Sequence, residues 1–371
     1  MLQGARHKLC WLLLLGGCGP AQQRGMSQRP TPHARAAQLP GPAPRGRGVD
    51  EAGRLNATCE GCHVQIAHEW RDSWHARSQT DAAYQRAFAL EPLQFCQGCH
   101  APEADPALPV PLVAARLGVG CVTCHVIGDA VLAASVRPLA STPDLATERA
   151  PHPVLRDARL DGNAACAGCH EFEFPDRSAR RVPELMQATV TEHARSGESD
   201  RACASCHMPL VAAGAAAHRS HAFLGGHDAA LVKSAVDVEA KRSTDGVRIT
   251  LTPRELGHAF PTGDLFRRLE VSAEAIGPEW QVVARERRYL TRHWQRQPSP
   301  FGVLLRRATL DDRPLARAAI IDLPLGDGAA NLPIAWRVAY QRVEHPRSER
   351  EQDSNVEGEI ELGGGTLETN P

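Results

Sequence analysis

The chain has 371 residues, a formal net charge of -1 and 42% hydrophobic residues. It therefore lacks the basic excess of a nucleic-acid binder and the polarity of a disordered chain. Aromatic residues are only 5%, little for a core of this size, whereas Cys (12) and His (17) are abundant.

The predicted elements begin with an export signal. Arg6, His7 and Lys8 precede an apolar run from Leu9 to Leu15 that is too short to cross a bilayer. Leu15-Gly16-Gly17-Cys18 resembles a bacterial lipobox, which implies a lipoprotein-type signal over residues 1–18 and a lipid on Cys18. An ordinary signal peptide with an incidental Cys is the plainer alternative. Either way the chain is exported, and lipid would hold it at the periplasmic side or the outer membrane. Residues 19–54 are rich in Pro, Gly and Arg and read as a tether.

The other ten cysteines fall in one pattern. Cys59-x-x-Cys62-His63, Cys96-x-x-Cys99-His100, Cys121-x-x-Cys124-His125, Cys166-x-x-Cys169-His170 and Cys203-x-x-Cys206-His207 are five C-x-x-C-H motifs, where chance predicts roughly 0.02. Two cysteines three apart on a helical turn can each form a thioether to a haem vinyl group. The adjoining His then reaches the iron as proximal ligand. A disulfide scaffold, zinc sites and thioredoxin-like motifs all lack a reason for an immediate His in every copy. The expected cofactors are five haem c groups held by these residues. The motifs start 37, 25, 45 and 37 residues apart, so the haems must pack against one another and replace the missing aromatic core.

Residues 55–235 are the expected haem domain. Val64 to Leu90 reads as one helix, with His68 and His75 on a shared face. His152 stands between Pro151 and Pro153, His193 precedes the last motif, and His218, His221 and His227 follow it. Each is a candidate for a sixth coordination position. Met is scarce, and Met208 adjoins a proximal His, so bis-His iron of low potential is expected.

At these residues the chain resembles multihaem c cytochromes of the cytochrome c-554 type. The resemblance rests on Cys59–His75 with Trp70 and Ser73, on the Cys-His-Glu-Phe ending at Phe172, and on the Cys-His-Met-Pro ending at Pro209, with His221 and Gly225-Gly226. It continues through Gly257-His258-Ala259-Phe260-Pro261-Thr262-Gly263, similar to a motif in a β-rich domain appended to some of these proteins. It implies bis-His haems in close-stacked pairs, periplasmic electron transfer, and His75, His152, His193 and His221 as distal ligands. The fifth haem has no counterpart in the four-haem members. His258 is the candidate for it, with His227 and His68 behind, or one iron is five-coordinate.

Residues 236–345 change character. Val247–Leu251, Leu269–Ala273, Val282–Tyr289 and Ile334–Val343 alternate in polarity between Gly and Pro, as strands of a β-sandwich-like domain do. Residues 346–371 read as a polar, frayed tail. The expected fold class is thus α+β: a mainly helical and loop multihaem domain of low regular structure, then a β-sandwich-like domain.

An electron carrier between redox partner proteins, donor and acceptor cytochromes or a reductase, is the function expected. The alternative is an oxidoreductase acting on nitrogen or sulfur oxyanions at a haem with an open axial site; no catalytic residue stands out and no C-x-x-C-K occurs. A third reading makes the β-rich domain the binding element. Loss of Arg6 and Lys8 with the signal takes the net charge from -1 to -3. Two propionates on each haem add up to about -10, which favours a basic partner.

Overall fold

A computed structural model describes residues 46–128, 130–135, 152–173, 184–211, 217–298, 304–344 and 354–369. The expected signal, Cys18 and most of the tether lie outside the described residues.

Helix α1 (Val49–Cys62) carries Asp50 and Glu51 in its first turn, where the positive end of the helix dipole favours carboxylates. It buries Ala52 against Leu117, Val122 and Val126 and ends in the first motif. Arg47 ties its start to the second and third motif regions: it forks onto Glu103 and donates to the carbonyls of Val122 and Val126.

The single helix expected over 64–90 is two helices, α2 (Val64–Arg71) and α3 (Ala82–Leu90). Between them, short polar side chains bond the backbone and break the ladder. Ser73 Oγ accepts from Ala76 N at 3.3 Å, and Asp81 caps α3 by accepting from Tyr84 N at 2.8 Å. His75 consequently sits in a turn, where its carbonyl accepts from Val119 N at 2.9 Å.

The remaining motifs lie on short helices that their own His terminates. These are α4 (Gln94–His100), α6 (Cys121–His125), α7 (Ala164–His170) and α9 (Cys203–His207). Helices α5 (Leu112–Leu117), α8 (Thr189–His193) and α10 (Ala229–Lys233) fill the spaces between. Regular structure is sparse here, as expected of a domain organised around cofactors.

The C-terminal domain has nine strands among the described residues: β1 (Val236–Arg242), β2 (Gly246–Pro253), β3 (Arg267–Ile276), β4 (Val282–Leu290), β5 (Arg292–Pro298), β6 (Leu304–Asp311), β7 (Ala319–Pro324), β8 (Ile334–Val343) and β9 (Val356–Leu367). A four-stranded sheet β4-β3-β8-β9 faces a three-stranded sheet β7-β2-β1, with β5-β6 as a separate ribbon. Val247, Ile249 and Leu251 of β2 and Leu269, Val271, Ala273 and Ala275 of β3 are wholly buried in the shared core. On the other face of β3, Arg268 donates to Gln341, which in turn donates to Glu270, so the polar side of the central strand is internally satisfied.

The polar tail expected over 346–371 is corrected here. Val356–Leu367 is a twelve-residue edge strand paired along β8. Gly363, Gly364 and Gly365 disguised it; at Gly363 a Cβ would press on Val238 at 3.1 Å, so the strand lies close against β1 because a side chain is missing.

Candidate cofactor cavity

One cavity of about 3410 Å³ is lined by all ten motif cysteines and all five motif histidines. That is several times the ~300–1,000 Å³ of a pocket for one drug-sized ligand. Leu55, Trp74, Leu90, Leu93 and Leu210, each 37–62% exposed, face into it. A contiguous apolar lining of this size needs an apolar occupant.

Three of the motif histidines are held in a common way. Nδ1–H of His100 donates to Ser78 O at 2.7 Å and that of His125 to Leu132 O at 2.8 Å. His207 uses Leu224 O in the same role, and His170 Nδ1 lies 3.2 Å from the Gln187 amide. At His100, His125 and His207 the carbonyl fixes the proton on Nδ1 and leaves Nε2 with its lone pair for a metal. Burial first, and the neighbouring histidines second, hold His170 and His221 at about 4 and His75 at about 3, so these rings are neutral donors at pH 7.

Imidazoles from elsewhere in the chain face four of the motif histidines. Ring centres are 6.5 Å apart for His63 and His152, 6.1 Å for His75 and His170, 6.1 Å for His125 and His221, and 6.0 Å for His207 and His258. Two metal–nitrogen bonds of about 2.0–2.1 Å, the zinc–imidazole length, plus two ring radii come to about 6 Å. The gaps therefore have the width of an axially coordinated iron. His75 Nδ1 is also buried without a hydrogen-bond partner. Haem c fits these residues: thiols for attachment, facing nitrogens for the metal, and an apolar lining for the macrocycle.

His193, expected as a distal ligand, is placed otherwise. Its Nδ1 lies 2.6 Å from Gly257 O and its Nε2 2.9 Å from Arg201 O, so carbonyl oxygens occupy both nitrogens and it faces no motif histidine. Among the other candidates, His68 is 80% exposed beside Asp72, His218 bonds Glu69 at 3.0 Å, and His227 stacks on Trp74 at 3.7 Å. His100 has no facing imidazole among the described residues; the ring of Tyr84 lies parallel to it at 3.7 Å, with its hydroxyl buried and unpartnered.

Contacts between motifs give their neighbours. The thiols of Cys166 and Cys203 hydrogen-bond, as do those of Cys99 and Cys169, and the Cys121 thiol is pushed up by burial and then by Cys59 beside it. Phe223 packs against both His75 (4.2 Å) and His221 (5.6 Å). The first site thus adjoins the third, the third and fourth share Phe223, and the fourth meets both the second and the fifth.

Sequence reading missed the residues that support these groups. Glu69 Oε2 accepts from His221 N at 2.8 Å while its Oε1 meets His218, which fixes the segment carrying His221. Glu69 lies one residue past His68 in a helical pattern, where nothing local marks it. Asn163 Oδ1 accepts from Cys203 N at 2.8 Å and bridges the fourth and fifth motifs.

Comparison with known proteins agrees with this geometry. Residues 58–126 match the family described as cytochrome c554 and c-prime. No curated protein sequence matches the chain. The fold resembles a penta-heme cytochrome c552 from Thermochromatium tepidum at TM-score 0.61 and 20% identity, over 83% of this chain and 97% of that one. Attachment residues and cavity thus agree with a chain that is similar to the cytochrome c554 family over residues 58–126 and shares its fold with a penta-heme cytochrome.

Proposed function

We propose that the protein carries electrons through five haem c groups attached at its five motifs, between redox partner proteins, on the periplasmic side of a membrane where lipid on Cys18 anchors it. The residues that would hold the irons are His63 with His152, His170 with His75, His125 with His221, and His207 with His258. Haem supplies a one-electron iron couple. The chain fills both axial positions at four sites, which disfavours binding of small molecules and suits electron transfer. The observation that carries this reading is the set of four facing imidazole pairs at 6.0–6.5 Å. The residue contacts run from the first motif through the third to the fourth, where the second and fifth meet it, so haems held at these motifs would be branched at the fourth.

His100 favours a second reading, an oxidoreductase of nitrogen or sulfur oxyanions at one open axial position, because no imidazole faces it among the described residues. Carbon monoxide titration of the reduced protein tests both. One molecule bound per protein fits four closed sites and one open one. None bound leaves pure electron transfer and a sixth ligand for the His100 site. Two or more would refute the pairing.

A further inference from the structure

Five hydrogen bonds hold the six-residue segment 257–262 that carries His258, two of them from the members of one buried ion pair. Glu192 on α8 and Arg313 in the β6–β7 connection form a buried ion pair, Nη2 to Oε1 at 2.6 Å, with side chains 10% and 5% exposed. The second oxygen of Glu192 accepts from Thr262 Oγ1 at 2.5 Å, and Arg313 Nη1 donates to Pro261 O at 2.6 Å. Thr189 Oγ1 meets Thr262 Oγ1 at 3.1 Å, and His193 Nδ1 meets Gly257 O at 2.6 Å. Phe260 N, between them, donates to Pro314 O at 2.9 Å. The segment from 257 to 262 is thus held at both ends, while among the described residues His258 itself bonds only to the neighbouring Ala259 O.

We infer that Glu192 and Arg313 are positioning residues that hold the β-rich domain's His258 opposite His207, closing the fifth haem site. The inference rests on the axial assignment of His258 proposed above. Simple domain docking does not account for the cluster. The two domains also meet through Arg342 on Gly226 O and through Arg86 with Glu357, neither of which touches this segment, and through Arg292, which neighbours Arg313 and donates to the carbonyls of Leu185 and Met186. A buried charge pair is a costly way to glue two surfaces, and its best-attested use is to select one arrangement over others. Here both oxygens of the carboxylate and all three guanidinium nitrogens are engaged, Arg313 Nε and Nη2 also reaching Asp311 at 2.7 Å. The arrangement selected leaves the rings of His207 and His258 6.0 Å apart and 11° from parallel.

The test uses the haem-loaded full chain and four variants: His258→Ala, Glu192→Gln, Arg313→Met and the milder Thr262→Val, which removes one hydroxyl. The readouts are high-spin ferric signal by electron paramagnetic resonance, carbon monoxide bound per reduced protein, and melting temperature. His258→Ala is expected to gain one haem's worth of high-spin signal and one bound carbon monoxide. Glu192→Gln and Arg313→Met should approach the same gain, and Thr262→Val should show a fraction of it. Lower melting temperatures with unchanged spin state and stoichiometry would reduce the pair to domain glue and overturn the inference. If Arg313→Met does not fold, Glu192→Gln and Thr262→Val decide. No change in His258→Ala would overturn the axial assignment first, and the positioning role with it.

Discussion

One methyl group placed at Gly118 should open the fourth haem site. Gly118 has φ 53° and ψ -132°, a conformation that L residues avoid. A Cβ built there would stand 2.5 Å from His75 O and 2.6 Å from Ala76 O, both backbone atoms that no rotamer change can remove. Relief to ordinary contact near 3.5 Å requires a displacement of about 1 Å. Moving His75 that far widens its 6.1 Å spacing from His170 toward about 7 Å, beyond the span of two metal–nitrogen bonds of about 2.0–2.1 Å and two rings. Backbone strain adds about 1–3 kcal/mol. Gly118→Ala is therefore expected to lower stability by about 2–4 kcal/mol in guanidinium titrations of the haem-loaded protein. It should also bind one more carbon monoxide per reduced protein than the parent, as His75→Ala should. Parental stability together with parental carbon monoxide stoichiometry would refute the steric reasoning.

Three further outcomes are expected. Arg47→Met strands Glu103, whose side chain is 1% exposed, with Thr123 as its remaining side-chain donor; the loss should be about 3–5 kcal/mol in denaturant unfolding, and Arg47→Lys should recover part of it. Asn163→Ala leaves Cys203 N–H without its acceptor and should cost about 1–3 kcal/mol in the same assay. Burial, then Arg342, Arg267 and Arg77, lower His227 from 6.5 to about 3. The native state therefore binds fewer protons than the unfolded state below pH 6.5, and the stability this group contributes above that pH is lost as the pH falls toward 3. His227→Phe, which keeps the stack on Trp74, should flatten that part of a stability-versus-pH curve, and an unchanged slope would contradict it.

What was legible in the sequence had a short-range signature. Each C-x-x-C-H fits within one or two helical turns, so the motif shows both the attachment chemistry and the short helix that His ends. The strand Ile334–Val343 was readable because Ile334, Trp336, Val338 and Tyr340 recur at every second position and turn one apolar face to the core. What escaped depends on partners far along the chain. His193 and His258 look alike as sequence, but His193 meets two carbonyls and His258 faces a motif histidine 51 positions earlier. The helix expected across His75 had the right periodicity but lost to serine and aspartate side chains that bond their own backbone. Strand β9 hid behind three glycines whose bareness allows the packing.

The charge of the cofactors also reshapes the surface. A polypeptide of net charge -1 becomes an acidic protein once haem propionates are added, so its partners should present basic faces around their own cofactors.

Thioethers survive denaturation, so the intact mass of the unfolded, purified protein counts the haems directly. The expected mass is that of the mature polypeptide plus five haem groups; a mass that accommodates four or fewer would contradict attachment at all five motifs.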